Sequence, residues 1–268
     1  FATRPATLWS TYDQVEELGD KTYRAKNPTP GAWFTVYLKN DLKEKEKAEV
    51  TIVDASGKTV RTFSDSTLKA GYNRMVWNLR HTEPVKMNGA RSGWWGGSGG
   101  PVAAPGNYVA KITAAGQTVE VPFNVRQDPR IAIPAQDLQL KNSTALSLRE
   151  LLSETNRMIN ESDDVLRQLA ELQKKLGQSQ DKSAVDQVKD AKRKLDEFRD
   201  EVLRRPPPSM GYRQRPRLRE EVQEMMYTVD GPEARPTTQQ LSRVTDLEKE
   251  VSDARLMLQK ILSEEIAR

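Results

Sequence analysis

The chain has 268 residues, a net charge of +4 and no cysteine, which excludes disulfides, thiolate metal ligands and cysteine nucleophiles together. Hydrophobic residues make up 36% and charged residues 30%, a balance that suits two domains with long solvated helix faces better than one large core. Residues 1–130 carry 18 basic and 13 acidic side chains and the rest 24 and 25, so neither half is basic enough to point to nucleic acid.

No apolar run approaches the roughly 20 residues that a bilayer-spanning helix needs. A first residue of Phe with no leader pattern leads us to expect a fragment or a processed product. The opening stretch Phe1–Lys26 contains Leu8, Trp9, Tyr12, Val15, Leu18 and Tyr23. That is too apolar for a solvated tail, and it predicts an arm (residues 1–27) packed on the chain's own domains or on a partner, with Trp9 protected.

Residues 28–130 read as strands. Met75, Trp77 and Leu79 alternate with Arg74, Val76 and Asn78, and Tyr108, Ala110 and Ile112 form a second run. Val119, Val121, Phe123 and Val125 form a third. Ala55-Ser56-Gly57 joins Val50–Asp54 to Lys58–Phe63, and Ala115-Gly116 closes a tight hairpin. Lys43-Glu44-Lys45-Glu46-Lys47 reads as a solvated hairpin tip. Six or seven short strands without crossover helices predict an antiparallel, immunoglobulin-like β-sandwich.

Asp128-Pro129 and Ile133-Pro134 stiffen a junction, after which the period becomes helical over residues 131–268. One stripe runs Leu148, Leu151, Thr155, Met158, Ser162, Val165, Leu169, Leu172 and Leu176, ending at Gly177 as a C-cap. Thr155 and Ser162 imply a thin or polar layer. Further stripes run Val188, Ala191, Leu195, Phe198, Val202 and Val244, Leu247, Val251, Ala254, Leu258, Ile261. Thr237 and Gln240 have capping-box spacing. The fold expected is therefore α+β with the two parts segregated. The sandwich comes first, followed by an elongated antiparallel bundle of about three long helices, with a short helix around Leu218–Val229.

No constellation for catalysis stands out. His81 is the only histidine and reads as structural. Neither a phosphate loop, a Gly-x-Ser-x-Gly elbow nor a His-Glu-x-x-His motif occurs. Asp163-Asp164 resembles a solvated helix face, and the sequons at Asn142 and Asn160 fall on the first helix, where we discount them. No catalytic, metal or cofactor-binding residue is assigned, and the chain is not expected to be an enzyme.

Two segments have the residue types of binding sites. Trp94 and Trp95 sit in a Gly-rich loop, where they could stack on sugar rings, anchor a protein partner, or fold back as core. The Pro/Arg-rich stretch 204–219 contains Arg204, Arg205, Tyr212, Arg213, Arg215 and Arg217, with no acidic residue before Glu220. It could meet an anionic surface or a peptide groove, or act as a stiff crossover whose arginines pair with acidic helix faces. These residues and Trp9 are the candidate partner-binding set.

Ala70-Gly71-Tyr72-Asn73-Arg74-Met75-Val76-Trp77-Asn78-Leu79-Arg80 and Pro105-Gly106-Asn107-Tyr108-Val109-Ala110-Lys111-Ile112 resemble the immunoglobulin-like domain of flagellar hook-capping proteins. A longer resemblance rests on Asn27-Pro28, Gly31-Ala32, Tyr37-Leu38-Lys39, Trp77-Asn78-Leu79-Arg80, Phe123-Asn124-Val125, Asp128-Pro129-Arg130 and Pro236-Thr237. Together these are similar to the C-terminal region of bacterial sortilin-like β-propeller proteins, often labelled glycosyl hydrolases. Asp-box repeats are absent, so a hydrolase label does not carry over. The resemblance implies an exported, periplasmic or extracellular setting. It also implies a non-catalytic structural or protein-interaction module that docks onto a larger envelope or membrane-associated complex, or onto its own propeller. The alternative is a carbohydrate-binding accessory module using Trp94 and Trp95. Neither reading involves a cofactor or nucleic acid.

Overall fold

The computed structural model describes residues 3–8, 28–89, 99–176, 182–206 and 214–266. The protein is mixed α+β, and its contacts divide it into two units: Phe1–Thr82 with Gly99–Gln139, and Glu83–Ser98 with Leu140–Arg268. The first unit thus takes in the described part of the N-terminal arm, while residues 83–89 belong with the helices.

Among the described residues seven strands build the first unit: β1 (Ala6–Thr7), β2 (Ala32–Leu38), β3 (Ala48–Asp54), β4 (Thr59–Asp65), β5 (Gly71–Trp77), β6 (Gly106–Ala114) and β7 (Gln117–Arg126). A five-stranded sheet has the order β1-β7-β6-β3-β4, and β2 pairs with β5 in a second sheet. Most pairings are antiparallel, but β1 runs parallel to β7, where Ala6 faces Val125. Period-two alternation in both sheets supplies one common core, in which Phe34, Val50, Ile52 and Trp77 are almost fully buried. Trp77 and Phe123 meet edge to face at 5.9 Å between centroids, and Phe34 meets Phe123 at 5.2 Å. The Tyr108 hydroxyl donates to the Ala104 carbonyl at 2.6 Å. Burial, with the nearby Asp54 charge, pushes that phenol up to about 12.

The β unit departs from the sequence reading at two points. Residues 43–47 are not a hairpin tip, because they connect β2 to β3 in different sheets, although a turn does form there with Glu46 N donating to Lys43 O. Leu79 does not continue the strand. β5 stops at Trp77, and Leu79 adopts φ +58° while staying buried. A left-handed turn at a leucine is costly, and its burial beside Trp77 offsets that cost.

Asp128 precedes the helices and is buried, accepting from Arg130 N at 2.9 Å and from Arg130 Nε at 2.9 Å. The Arg130 hydrogen bonds hold its carboxyl down to about 2. An unfolded Asp titrates near ~3.9, so this contact stabilises above about pH 4 and is lost as pH falls towards 2. A carboxyl carbon-13 titration should place the Asp128 midpoint near 2, and a midpoint near that of a free Asp would show that Arg130 does not hold it.

Four helices are found among the described residues: α1 (Ala135–Leu176), α2 (Lys182–Phe198), α3 (Leu218–Asp230) and α4 (Thr238–Ile261). π-helical turns extend α2 over Arg199–Leu203 and α4 over Leu262–Ile266. The helix count is four: α1, α2 and α4 are long, and α3 lies where the short helix around Leu218–Val229 was expected. α3 has only 13 residues, but it buries Leu218, Val222, Met226 and Val229 in the helical core and so counts as a packed element. The stripes of α2 and α4 are buried as their spacing predicts except at their last positions, where Val202 and Ile261 are half-buried and the π-helical turn buries Leu203 instead of Val202. Thr155 and Ser162 are fully buried, and each hydroxyl donates to the carbonyl four residues earlier at 2.8 Å, so the polar layer is satisfied within α1 itself. Thr237 and Gln240 form the capping box: Gln240 N donates to Thr237 Oγ1 and Thr237 N donates to Gln240 Oε1. Leu172 is 43% exposed, and Gly177 lies outside the described residues.

Candidate protein-interaction site

Of the residues singled out from the sequence, Trp9, Trp94, Trp95, Tyr212 and Arg213 lie outside the described residues. Residues 83–89, which precede Trp94 and Trp95 in the chain, and the described ends of the arginine-rich stretch, 204–206 and 214–219, lie in the helical unit. Residues 83–89 run along α1. Val85 N donates to Ser153 Oγ at 3.1 Å, and Asn156 Nδ2 donates to Val85 O at 2.7 Å. One turn on, Asn88 N donates to Asn160 Oδ1 at 2.7 Å and Asn160 Nδ2 to Lys86 O at 3.0 Å. Asn156 and Asn160, at i and i+4, therefore offer the extended segment the donors and acceptors that a neighbouring strand would. The sequence reading missed this ladder. Its only sequence signal is the pair of asparagines on one helix face.

The π-helical turn at 199–203 places two arginines beside α1. Arg199 reaches Asp163 at 3.0 Å, Asp196 at 2.8 Å and Asp200 at 2.7 Å, and the Asp200 hydrogen bond leads in raising its pKa. Arg204 lies 3.6 Å from Asp163 and 3.5 Å from Asp200, with its Nη1 4.0 Å from Met87 Sδ. Asp163 is therefore half-buried between two arginines rather than part of a solvated face, whereas Asp164 stays exposed and pairs with Arg167.

Glu220 closes the crossover. Its Oε2 accepts from Arg205 N at 3.1 Å and from Arg217 N at 3.2 Å, which pins both ends of the arginine-rich stretch to the first turn of α3. Arg205 Nε donates to Arg215 O at 3.2 Å, and Arg217 pairs with Glu201 and donates from Nε to Asp200 O at 3.3 Å. Arg219 Nε donates to Asn156 Oδ1 at 2.9 Å, linking the crossover to the same asparagine that holds Val85. Arg204, Arg205 and Arg217 are thus engaged within the chain, while the Arg215 side chain is exposed.

These contacts surround a cleft of about 770 Å³ lined by Met87, Arg204, Arg205, Pro216, Arg219, Glu220, Glu221, Gln223, Glu224, Met225, Thr228 and Arg243. Arg243 bridges Glu221 and Glu250, and the Glu250 hydrogen bond leads in raising its pKa further. The lining alternates guanidinium and carboxylate groups around two methionines. It offers directional polar partners and adaptable apolar surface. His81 lies elsewhere, buried in the β unit, with its backbone bonded to Pro101 and Gly100. No group of three or more His, Cys, Asp or Glu is placed to hold a metal ion among the described residues, and no helix among them is long and apolar enough to cross a membrane.

No protein-family model, curated protein or solved structure matches this chain.

Proposed function

We propose that the protein is a non-catalytic interaction module that docks onto a larger assembly through the arginine–methionine cleft of its helical unit. One observation carries this reading: Met87, on the segment that precedes Trp94 and Trp95 in the chain, and the ends of the pinned arginine-rich crossover line one cleft, meeting at Met87 and Arg204. Tryptophan and arginine concentrate binding energy at protein interfaces, and a scaffold that fixes both stems lowers the entropy lost on association.

We also read the β unit as an immunoglobulin-like sandwich and the chain as related to the C-terminal region of exported bacterial sortilin-like propeller proteins, which places it in the periplasm or outside the cell. The sheet order β1-β7-β6-β3-β4 with β2-β5 supports the first part of this reading. So does the Tyr108–Ala104 hydrogen bond near the start of β6, which has the form of a tyrosine corner.

The test is quantitative co-purification of the full chain from native envelope membranes. Trp94→Ala with Trp95→Ala should weaken retention of the partner at least roughly tenfold, or about 1.4 kcal/mol, while the chain stays folded. Undiminished retention of every co-purifying protein would reject the docking reading.

A further inference from the structure

The β unit presents a second surface that the docking reading does not use. The register of the β2–β5 pair sets Trp33, Thr35 and Tyr37 opposite Val76, Arg74 and Tyr72. They alternate with the buried Phe34, Met75 and Trp77, so these six side chains share the face turned away from the core. Tyr37 and Tyr72 are 57% and 72% exposed, and their rings pair at 5.3 Å. Trp33 lies four residues from Tyr37 along β2, a span of about 13 Å. Its indole is fixed by donation from Nε1 to Thr29 O at 2.8 Å and by the Arg74 guanidinium 4.2 Å over the ring.

Trp33, Thr35 and Arg74 also line a cleft of about 940 Å³ that includes Arg4, Asp128 and Arg130. Asp128 is engaged by Arg130 at 2.9 Å. Arg4 and Arg74 form no ion pair with a carboxylate among the described residues. The surface therefore combines exposed ring faces with two arginines that pair with no carboxylate among the described residues.

We propose that this face and its cleft bind an acidic polysaccharide, with uronate rings stacked on Tyr37 and Tyr72 and carboxylates held by Arg74 and Arg4. A uronate ring has a CH-rich face suited to a phenol and an edge carboxylate suited to a guanidinium. Charge complementarity selects an anionic ligand. The separation of the rings by Thr35 and Arg74 selects a sugar chain over a protein, since a protein interface concentrates its apolar surface at the centre. This site shares no residue with the helical cleft and stands independently of the docking reading.

The experiment is calorimetric titration of the full chain with oligogalacturonate, oligomannuronate and hyaluronan oligosaccharides, beside a neutral cello-oligosaccharide and poly-glutamate. At least one uronate should bind saturably, more weakly as salt rises and at least tenfold more tightly than the neutral sugar. Tyr37→Ala with Tyr72→Ala, and separately Arg74→Met, should each cost at least tenfold in affinity with an unchanged circular-dichroism spectrum. Three results would overturn the proposal: no saturable binding to any of the uronates, equal binding by these variants, or poly-glutamate binding as tightly as the best uronate, which would assign the face to acidic peptides.

Discussion

Gly31→Ala is expected to cost the β unit about 3 kcal/mol or more, enough to remove a large part of a typical domain's stability. Gly31 enters β2 at φ +131°, a conformation that side chains rarely adopt. A Cβ there would lie 2.2 Å from the Trp77 carbonyl oxygen and 3.1 Å from Val76 Cγ1. The obstacle is backbone at the end of β5, where Ala32 pairs with Trp77, so it cannot rotate away. Relief would require parting the two strands at the point where Trp77 anchors the aromatic core. Gly57→Ala is the control: φ is +82° but nothing lies within 4 Å, so only the left-handed penalty of about 1–2 kcal/mol should remain. Urea denaturation of both variants checks this, and equal losses would show that the close approach at Gly31 does not matter.

Asn156→Ala is expected to destabilise the helical unit by about 1–3 kcal/mol, because it removes a buried amide that bonds two partners at once. Asn156 is 3% exposed. Its Nδ2 satisfies Val85 O and its Oδ1 accepts from the charged Arg219. Truncation leaves the Val85 carbonyl and the Arg219 Nε without this partner, while Arg219 keeps Glu220 at 3.6 Å. Asn160→Ala, on the more exposed neighbouring turn, should cost no more than about 1 kcal/mol. Hydrogen exchange should show residues 83–89 losing protection in Asn156→Ala. Unchanged exchange together with a loss equal to that of Asn160→Ala would mean that the segment is held by something other than the asparagine ladder.

Features encoded by neighbouring residues were legible in the sequence. The Thr237–Gln240 capping box, the Ala55-Ser56-Gly57 turn and the stripes of α2 and α4 all depend on spacings of a few residues. Features that depend on distant partners were not. Lys43–Lys47 has turn chemistry that serves a hairpin or a passage between sheets equally well, and only the pairing of β2 with β5 decides between them. Asp163 looked solvated because the arginines that enclose it arrive from a π-helical turn 36 or more residues later. The course of residues 83–89 was hidden for the same reason: their partners Ser153, Asn156 and Asn160 are 68 to 74 residues away. The arginine-rich crossover was legible as a segment pairing with acidic helix faces, but the double acceptance by Glu220 that closes it was not.

The absence of cysteine makes the docking cleft addressable by a single introduced thiol. Gln223 lines the cleft, while the Lys249 side chain is 82% exposed and Lys249 is not among the cleft's lining residues. Gln223→Cys and Lys249→Cys, each labelled with a benzophenone maleimide and irradiated in native envelope membranes, test whether the cleft is the docking surface. One discrete protein adduct is expected from position 223, lost in the Trp94→Ala, Trp95→Ala background and absent from position 249. The same adducts from both positions, or none from position 223, would contradict it.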